Sequence, residues 1–535
     1  MAMTNKKLTT KKLTTKKLTA IKVKKSPQRK PGTKLATARP EVVFSLNGKV
    51  TRVSGADSLM MLAEWLRKRA GHPGTKIVCA EGDCGACTVV RAFVPRHSKE
   101  QPVFLAMNSC IATVAQMDGS HLVTVEGLAV DGELSPAQSC MRNAHGSQCG
   151  YCTPGFVMAF TGALETHKTL NRRQAANCTT GNLCRCTGYE PILTAAEQMT
   201  PSAKHRLATR YLTPENVRVL KAETQQPLMI KAHDGRIFFA PTTLQAASAF
   251  MKRHKEARVF AAGSDLGVQL NKGKPFPQIA MSLQAIPELY TIKRSKTMLS
   301  VGARVTLENL RIATKDCHPE FSRFLDIFAS PQIKHVATLV GNLANASPIG
   351  DTLPFLLATD AEIRVLSPSG ATRKIPATKF FLGYKTLALR PGEVIIGVDI
   401  PINARAQALK LYKVSQRKDL DISAVSAAIA LPLSPQGTIR GAAVAFGGVA
   451  ATPIRVAAVE ALLENQKPSP ELWQQATALL QQQLRPLTDV RGSSTYRRVL
   501  VEHMFKSYTF DLLQVAPTAT ATATATAKVK GALAP

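Results

Sequence analysis

Hydrophobic positions alternate from Glu41. Val42, Phe44 and Leu46 face one way, Asn47-Gly48 is a tight-turn pair, and Val50 to Val53 returns. This pattern predicts a β-hairpin. Ser58 then precedes Leu59, Leu62 and Leu66, a helical stripe with Ser58 as its N-cap and Gly71 as its stop. From Ser135 to Met199 the pattern turns helical, broken by cysteine motifs. A polar stretch with Pro201 and Pro214 reads as a linker. From Lys231 short strands and helices alternate with Gly-rich loops. A further boundary falls near Ile402–Ala408. Beyond it, a strand over Ala442–Phe446 precedes an amphipathic helix around Glu471–Leu484, and order reaches about Tyr508. No run of about 20 apolar residues occurs, so no transmembrane helix is expected.

The length of 535 residues implies three or four domains. With 45% hydrophobic and 20% charged residues, the composition is that of a globular protein. The net charge of +33 would ordinarily point to a polyanionic partner. Its distribution weakens that inference. Residues 1–40 carry 13 of the basic residues and no acid, which leaves +20 for the other 495. That segment repeats the unit Lys6-Lys7-Leu8-Thr9-Thr10 and lacks the apolar stretch of a signal peptide. A disordered, solvated tail is expected, with nucleic-acid or membrane contact and organelle targeting as alternatives. The Thr-Ala alternation over 518–527 predicts a second loose tail.

Ten of the eleven cysteines fall between residues 79 and 186, a clustering that favours metal binding over disulfides. Cys79, Cys84 and Cys87 have C-x4-C-x2-C spacing, and Cys110 follows after 22 residues. This is the plant-type [2Fe–2S] spacing. Gly82 and Gly85 suit it, because they let the backbone close round a cluster and aim N–H groups at sulfur. Zinc and unrelated buried cysteines are the alternatives, but zinc sites prefer paired short Cys units. A second set has Cys149 and Cys152, then Cys184 and Cys186 after 31 residues. Spacing alone leaves zinc and iron–sulfur equal there. Cys140, Cys178 and Cys317 fit neither set and read as small buried hydrophobes.

The strings Gln148-Cys149-Gly150-Tyr151-Cys152-Thr153-Pro154-Gly155 and Gly181-Asn182-Leu183-Cys184-Arg185-Cys186-Thr187-Gly188-Tyr189 resemble the helical [2Fe–2S] domain of the molybdenum hydroxylases, the family of xanthine dehydrogenase and aldehyde oxidase. The first cysteine set resembles that family's ferredoxin-like domain, in the same order. The resemblance implies a multidomain α+β fold. A basic tail (1–40) precedes a β-grasp ferredoxin-like domain (41–126) and a helical-bundle [2Fe–2S] domain (130–200). A linker (201–230) then leads to an α+β FAD-binding domain of two subdomains (231–402), an α+β C-terminal flavoprotein domain (408–510) and a tail (511–535). It also implies that Gln148 reaches a molybdopterin held mostly elsewhere; a helix-cap amide is the plainer alternative.

The loop Phe260–Gly267 is rich in small residues and could aim backbone N–H groups at a pyrophosphate, which by itself is a weak signal. The segment Phe328–Asn342, continuing to Asp351, resembles the stretch that wraps FAD in this family. The resemblance implies FAD contacts from Ala262, Gly263, Ser264, Asp265 and Leu266, and from Thr338, Leu339, Val340, Gly341, Asn342, Asp351 and Ile395. It places Phe328 near the isoalloxazine, Lys413 and Asp421 beside FAD, and Tyr384, Arg417 and Lys418 on the NAD side. An exposed turn is the plainer reading of the charged run at 416–421. Val340 stands where the family usually has glycine. If that position requires φ > 0, valine would be strained there.

The resemblance spans residues 41–508 and implies an electron-transfer subunit of a xanthine-oxidising enzyme. Electrons from molybdenum in a large partner subunit would enter the Cys149/152/184/186 cluster, then the Cys79/84/87/110 cluster, then FAD and NAD+. A cytoplasmic heterotetramer of two small and two large subunits is expected, without nucleic acid or membrane. The equivalent subunit of an aldehyde, nicotinate, aromatic acyl-CoA or CO-oxidising enzyme is the near alternative. A zinc-dependent nucleic-acid binder is the remote one; aromatics at 5% and Cys loops that are Gly-rich and not basic argue against it.

Overall fold

The computed structural model describes residues 38–93 and 101–515. The expected tails, up to residue 37 and from 516, lie outside the described residues. Arg39 does not belong to the tail expected over 1–40. It bridges Leu228 in parallel, and its guanidinium pairs with the Asp118 carboxylate. The second tail also starts later than expected, because the last helix runs over Ser494–Val515.

The hairpin forms as its pattern predicts, with Glu41–Leu46 antiparallel to Lys49–Ser54. Asn47 and Gly48 take φ of 50° and 85°, the left-handed pair that a two-residue turn requires. The sheet order is 49–54, 41–46, 121–123, 88–92, 105–108, with 41–46 parallel to 121–123. The helix Leu62–Lys68 packs on it, and Trp65 meets Phe44 edge-on at 5.7 Å. Ser58 is not its N-cap. Ser58 lies inside the 3-10 turn Gly55–Leu59 and donates to the Val53 carbonyl. The α-helix starts only at Leu62, so the apolar stripe spans two elements.

Helices Pro136–Asn143, Thr153–Thr166, Arg172–Cys178 and Glu190–Glu197 follow. The first and third open with reciprocal capping boxes, Ser135 with Gln138 and Asn171 with Gln174. The stretch 201–230 is not a bare linker. It holds helices Leu207–Tyr211 and Pro214–Glu223, and the strand Leu228–Lys231 begins within it. Pro214 starts structure there: it is the first residue of its helix, capped by Thr213.

Two sheets come next. A four-stranded sheet (228–231, 237–240, 279–282, 258–260) pairs its last three strands in parallel, and a five-stranded antiparallel sheet is built round Val394–Pro401. A four-stranded antiparallel sheet then carries the strands Leu409–Val414, Val425–Ala430 and Ala443–Gly447, covered by helices Pro470–Gln483 and Ser494–Val515. The apolar cores cross the boundaries that the sequence suggests. One runs from Phe44 of the first sheet and Leu66 of the helix on it to Phe238 and Phe260 of the second sheet, and another joins Ile363 and Val398 to Ala428 and Ala445. Such shared cores fix neighbouring units rigidly, since burying their apolar area requires both.

Candidate cofactor sites

The segment between Lys68 and Thr88 has no regular structure and carries the first three cysteines of the first set. Cys110 comes from the 3-10 turn Ser109–Ile111. Cys84, Cys87 and Cys110 are buried, and Cys79 is half-buried. The loop is shaped by Gly82 and Gly85, with φ of 79° and 65°. It is held from below: Asn108 donates to the Gly82 carbonyl at 2.6 Å, and Ser109 to that of Cys87 at 2.6 Å. The N–H groups of Glu81 and Cys84 both point at Cys79 Sγ, each at 3.4 Å.

The four thiols share hydrogen bonds. Cys110 lowers the titration of Cys79 and of Cys87, Cys79 raises that of Cys84, and Cys110 itself is pushed up, first by Cys79. Among the described residues no three or more His, Cys, Asp or Glu side chains are set to hold a metal ion together. The thiols instead touch one another in one series, Cys84–Cys79–Cys110–Cys87. Four thiols gathered at one place, with the Glu81 and Cys84 N–H groups aimed at sulfur, suit a [2Fe–2S] centre, which takes four thiolates.

The second set pairs. Cys149 and Cys186 share a hydrogen bond, as do Cys152 and Cys184. Burial, with Cys184 beside it, pushes the Cys152 thiol up to about 12. Cys152 stands at the N-cap position of the helix Thr153–Thr166, without a side-chain cap bond. Thr187 points its hydroxyl and its N–H at Cys184 Sγ, at 3.2 and 3.5 Å. Cys149 and Cys186 are exposed, as is Gln148 beside them, with Tyr151 (48% exposed) and Leu183 (58%) nearby. This set therefore opens on an outer face while the first is enclosed. Of the other three cysteines, Cys317 is buried and Cys140 and Cys178 are half-buried, which accords with small hydrophobes.

The small-residue loop follows the strand Arg258–Phe260 and enters the helix Ser264–Asn271. Gly263 takes φ of 76°, and a Cβ there would press on Gln116 and Phe260 at 2.9 Å. Arg304 and Gln116 donate to the carbonyls of Ala261 and Ala262. With those carbonyls drawn back, the N–H groups of the helix start are free to serve an anion. Asp265, exposed on that helix, accepts from Asn345 at 3.2 Å. Leu266 on the same helix packs against the first sheet's core.

Thr338 caps the helix Leu339–Asn345 through the Gly341 N–H at 2.9 Å, and Thr352 donates to Asn342 at 2.6 Å. Leu339 and Val340 face the core, and Val340 sits in ordinary helical backbone, so the missing glycine causes no strain. Ile395 is buried in the central strand of the five-stranded sheet. Phe328, half-buried, stacks on Phe324. Tyr384 is 65% exposed in the turn between 381–383 and 386–387.

Lys413 is fully engaged within the chain. Its ammonium donates to Asp351 (2.6 Å), to the Asp421 carbonyl (2.7 Å) and to Ser423 Oγ (2.8 Å). An ammonium has three protons, and these acceptors use all of them. Lys413 thus ties Asp351 to the 415–423 turn and holds no donor in reserve for a ligand. Burial tends to raise Asp421, but the N–H groups of Arg417 and Ile422 outweigh it and keep its carboxyl low. Arg417 is exposed at that turn, and its charge acts on Asp83 of the first cysteine loop.

The sequence reading missed residues that join these parts. Asn271 donates to the carbonyls of Ala80 and Cys110 at 2.7 and 2.8 Å. The helix that follows the small-residue loop therefore ends on the first cysteine loops. Gln332, wholly buried, donates to Asn182 at 2.7 Å, and Asn182 donates to the Gly85 carbonyl at 3.2 Å. Both stand inside motifs that the resemblance covers, but a buried amide announces no partner in a distant segment.

Three family models match in this order: a [2Fe-2S] binding domain over 124–197, the FAD binding domain in molybdopterin dehydrogenase over 231–403, and the CO dehydrogenase flavoprotein C-terminal domain over 410–511. The chain belongs to the molybdenum hydroxylase family. Like other molybdenum hydroxylases it carries [2Fe–2S] and FAD-binding domains, and the residues above fit both groups. It is 30% identical to xanthine dehydrogenase of Drosophila pseudoobscura pseudoobscura over 524 residues, 88% of this chain and 39% of that protein. It is 27% identical to xanthine dehydrogenase 1 of Arabidopsis thaliana over 533 residues, 87% and 39%. The chain thus spans about two fifths of the curated relatives it matches. Among solved structures, quinoline 2-oxidoreductase from Pseudomonas putida 86 aligns at 26% identity with a TM-score of 0.48, covering 52% of this chain and 96% of that one.

Among the described residues no helix is long and apolar enough to cross a membrane.

Proposed function

We propose that this chain is the electron-transfer subunit of an NAD-dependent xanthine dehydrogenase whose molybdopterin sits in a large partner subunit. Cys79, Cys84, Cys87 and Cys110 would hold one [2Fe–2S] centre, and Cys149, Cys152, Cys184 and Cys186 the other. When bound, the clusters carry single electrons and FAD exchanges single electrons for a hydride. This chain's own residues bind and space those groups. The 262–266 loop and Thr338–Asn342 would hold the dinucleotide, and Lys413 fixes Asp351 and the turn that presents Arg417 to NAD. Gln148 and the exposed second set would face the partner's molybdopterin.

The observation that carries this reading is the order of the parts. The outward set opens on a free face, the enclosed set lies behind it, and the helix from the small-residue loop ends on the enclosed set through Asn271. Co-purification tests it. A partner containing molybdopterin that oxidises xanthine with this chain supports the assignment; a partner acting on aldehydes, nicotinate or carbon monoxide reassigns the substrate.

A further inference from the structure

The short helix Pro331–Lys334, inside the segment that resembles the FAD wrap, touches both cysteine loops. Ile333 packs against Gly82 and the Cys87–Cys110 cluster. The next side chain but one, His335, places Nδ1 2.8 Å from the Ala106 carbonyl, on the strand that leads to Cys110. Gln332 points the other way. Its Nε2 donates to Asn182 Oδ1, and Asn182 Nδ2 donates to the Gly85 carbonyl. Asn182 stands two residues before Cys184, and Gly85 directly after Cys84.

The direction of this chain is fixed at its end. The Gly85 carbonyl can only accept, so Asn182 must present its NH2 there, and its Oδ1 is left to accept from Gln332. Three glycines make the approach possible. A Cβ at Gly85 would lie 2.6 Å from Asn182 Nδ2, one at Gly155 would meet the Gly85 carbonyl, and one at Gly181 would run into Gln332 and Ser330. Gln332 is 0% and Asn182 5% exposed, so water does not replace a lost partner cheaply.

We infer that Gln332 is a positioning residue: through Asn182 it locks the loop of Cys84 and Cys87 against the loop of Cys184 and Cys186, and so sets the spacing of the two centres from the flavin domain. This rests on the reading that each cysteine set binds a cluster. The donors and acceptors allow this chain one direction only, and Gln332 Oε1 stays buried without a partner, so the pair suits fixing a distance rather than adding bulk stability.

The test is the magnetic interaction between the two reduced clusters, read by EPR on the dithionite-reduced full chain, because that interaction depends on their separation and not on turnover. Gln332→Glu keeps the shape but replaces the donor with an acceptor facing Asn182 Oδ1. Gly181→Ala leaves Gln332 intact and displaces it. Gln332→Met removes the donor without adding charge and serves if the carboxylate prevents folding. In variants that retain FAD, the expected result is a shifted or lost splitting between the clusters, or loss of one cluster's signal. Splitting identical to wild type in FAD-replete, iron-replete variants would overturn the inference. Wild-type protein with no cluster signal at all would overturn the cluster reading instead.

Discussion

The backbone N–H of Leu183 donates to the carbonyl of Cys84 at 2.9 Å. One residue of each cysteine motif thus lies at either end of a single hydrogen bond, with Cys184 next in the chain. The two sets form one unit, although 31 residues separate the halves of the second set alone.

Because the outward set stands first in the proposed order, Cys149→Ser should abolish transfer from purine to NAD+ while NADH-driven dye reduction survives. Steady-state assays of both reactions on the assembled enzyme check this. Loss of both activities in a folded, FAD-replete variant contradicts the order.

Gly85→Ala tests the close approach of the loops. Its φ of 65° disfavours any side chain, and a Cβ would also strike Asn182. Backbone strain alone costs about 1–3 kcal/mol. A lower urea midpoint together with lost iron is expected, and unchanged iron content would show that the loops can part without harm.

Lys413→Met should be among the most damaging single changes in the flavin half. The Lys413 and Asp351 side chains are 2% and 6% exposed, so removal of the ammonium leaves a buried carboxylate unpaired, at a cost of about 3–5 kcal/mol. Lys413→Met with Asp351→Asn should recover most of that loss. Denaturant unfolding and FAD content are the measurements.

Stability should fall on mild acidification. Burial holds the imidazoles of His121 and His318 down at about 4, against 6.5 for the free side chain, and lowers His335 too. Between those values the unfolded chain binds more protons than the folded one, so stability is complete above pH 6.5 and is lost as the pH drops toward 4. A tenfold difference in proton affinity between the two states corresponds to about 1.4 kcal/mol. Urea midpoints across that range should slope upward with pH, and His318→Leu should flatten the slope.

The legible parts of this molecule were local. Asn47-Gly48 specified its turn by backbone conformation, and the cysteine spacings named their sets because ligands recur at short, fixed intervals. Ser58 misled because an apolar stripe reads the same across a 3-10 turn and a helix. The segment 201–230 was illegible because Pro214 and Thr213 serve a helix start as readily as a loop. The engagement of Lys413 was not legible, since its three protons meet partners up to 62 residues away, Asp351 among them. Gln332, Asn182 and Asn271 gave no signal, since an amide's function here lies in acceptors contributed by other segments.

The central claim is that the two cysteine sets hold iron and sulfide beside a flavin. It is tested most directly by iron, acid-labile sulfide, zinc and flavin analysis of the purified chain, together with its visible spectrum. Two [2Fe–2S] centres and one FAD per chain, with the brown colour of iron–sulfur and flavin absorption, is the predicted result. A colourless protein containing zinc in place of iron would contradict it.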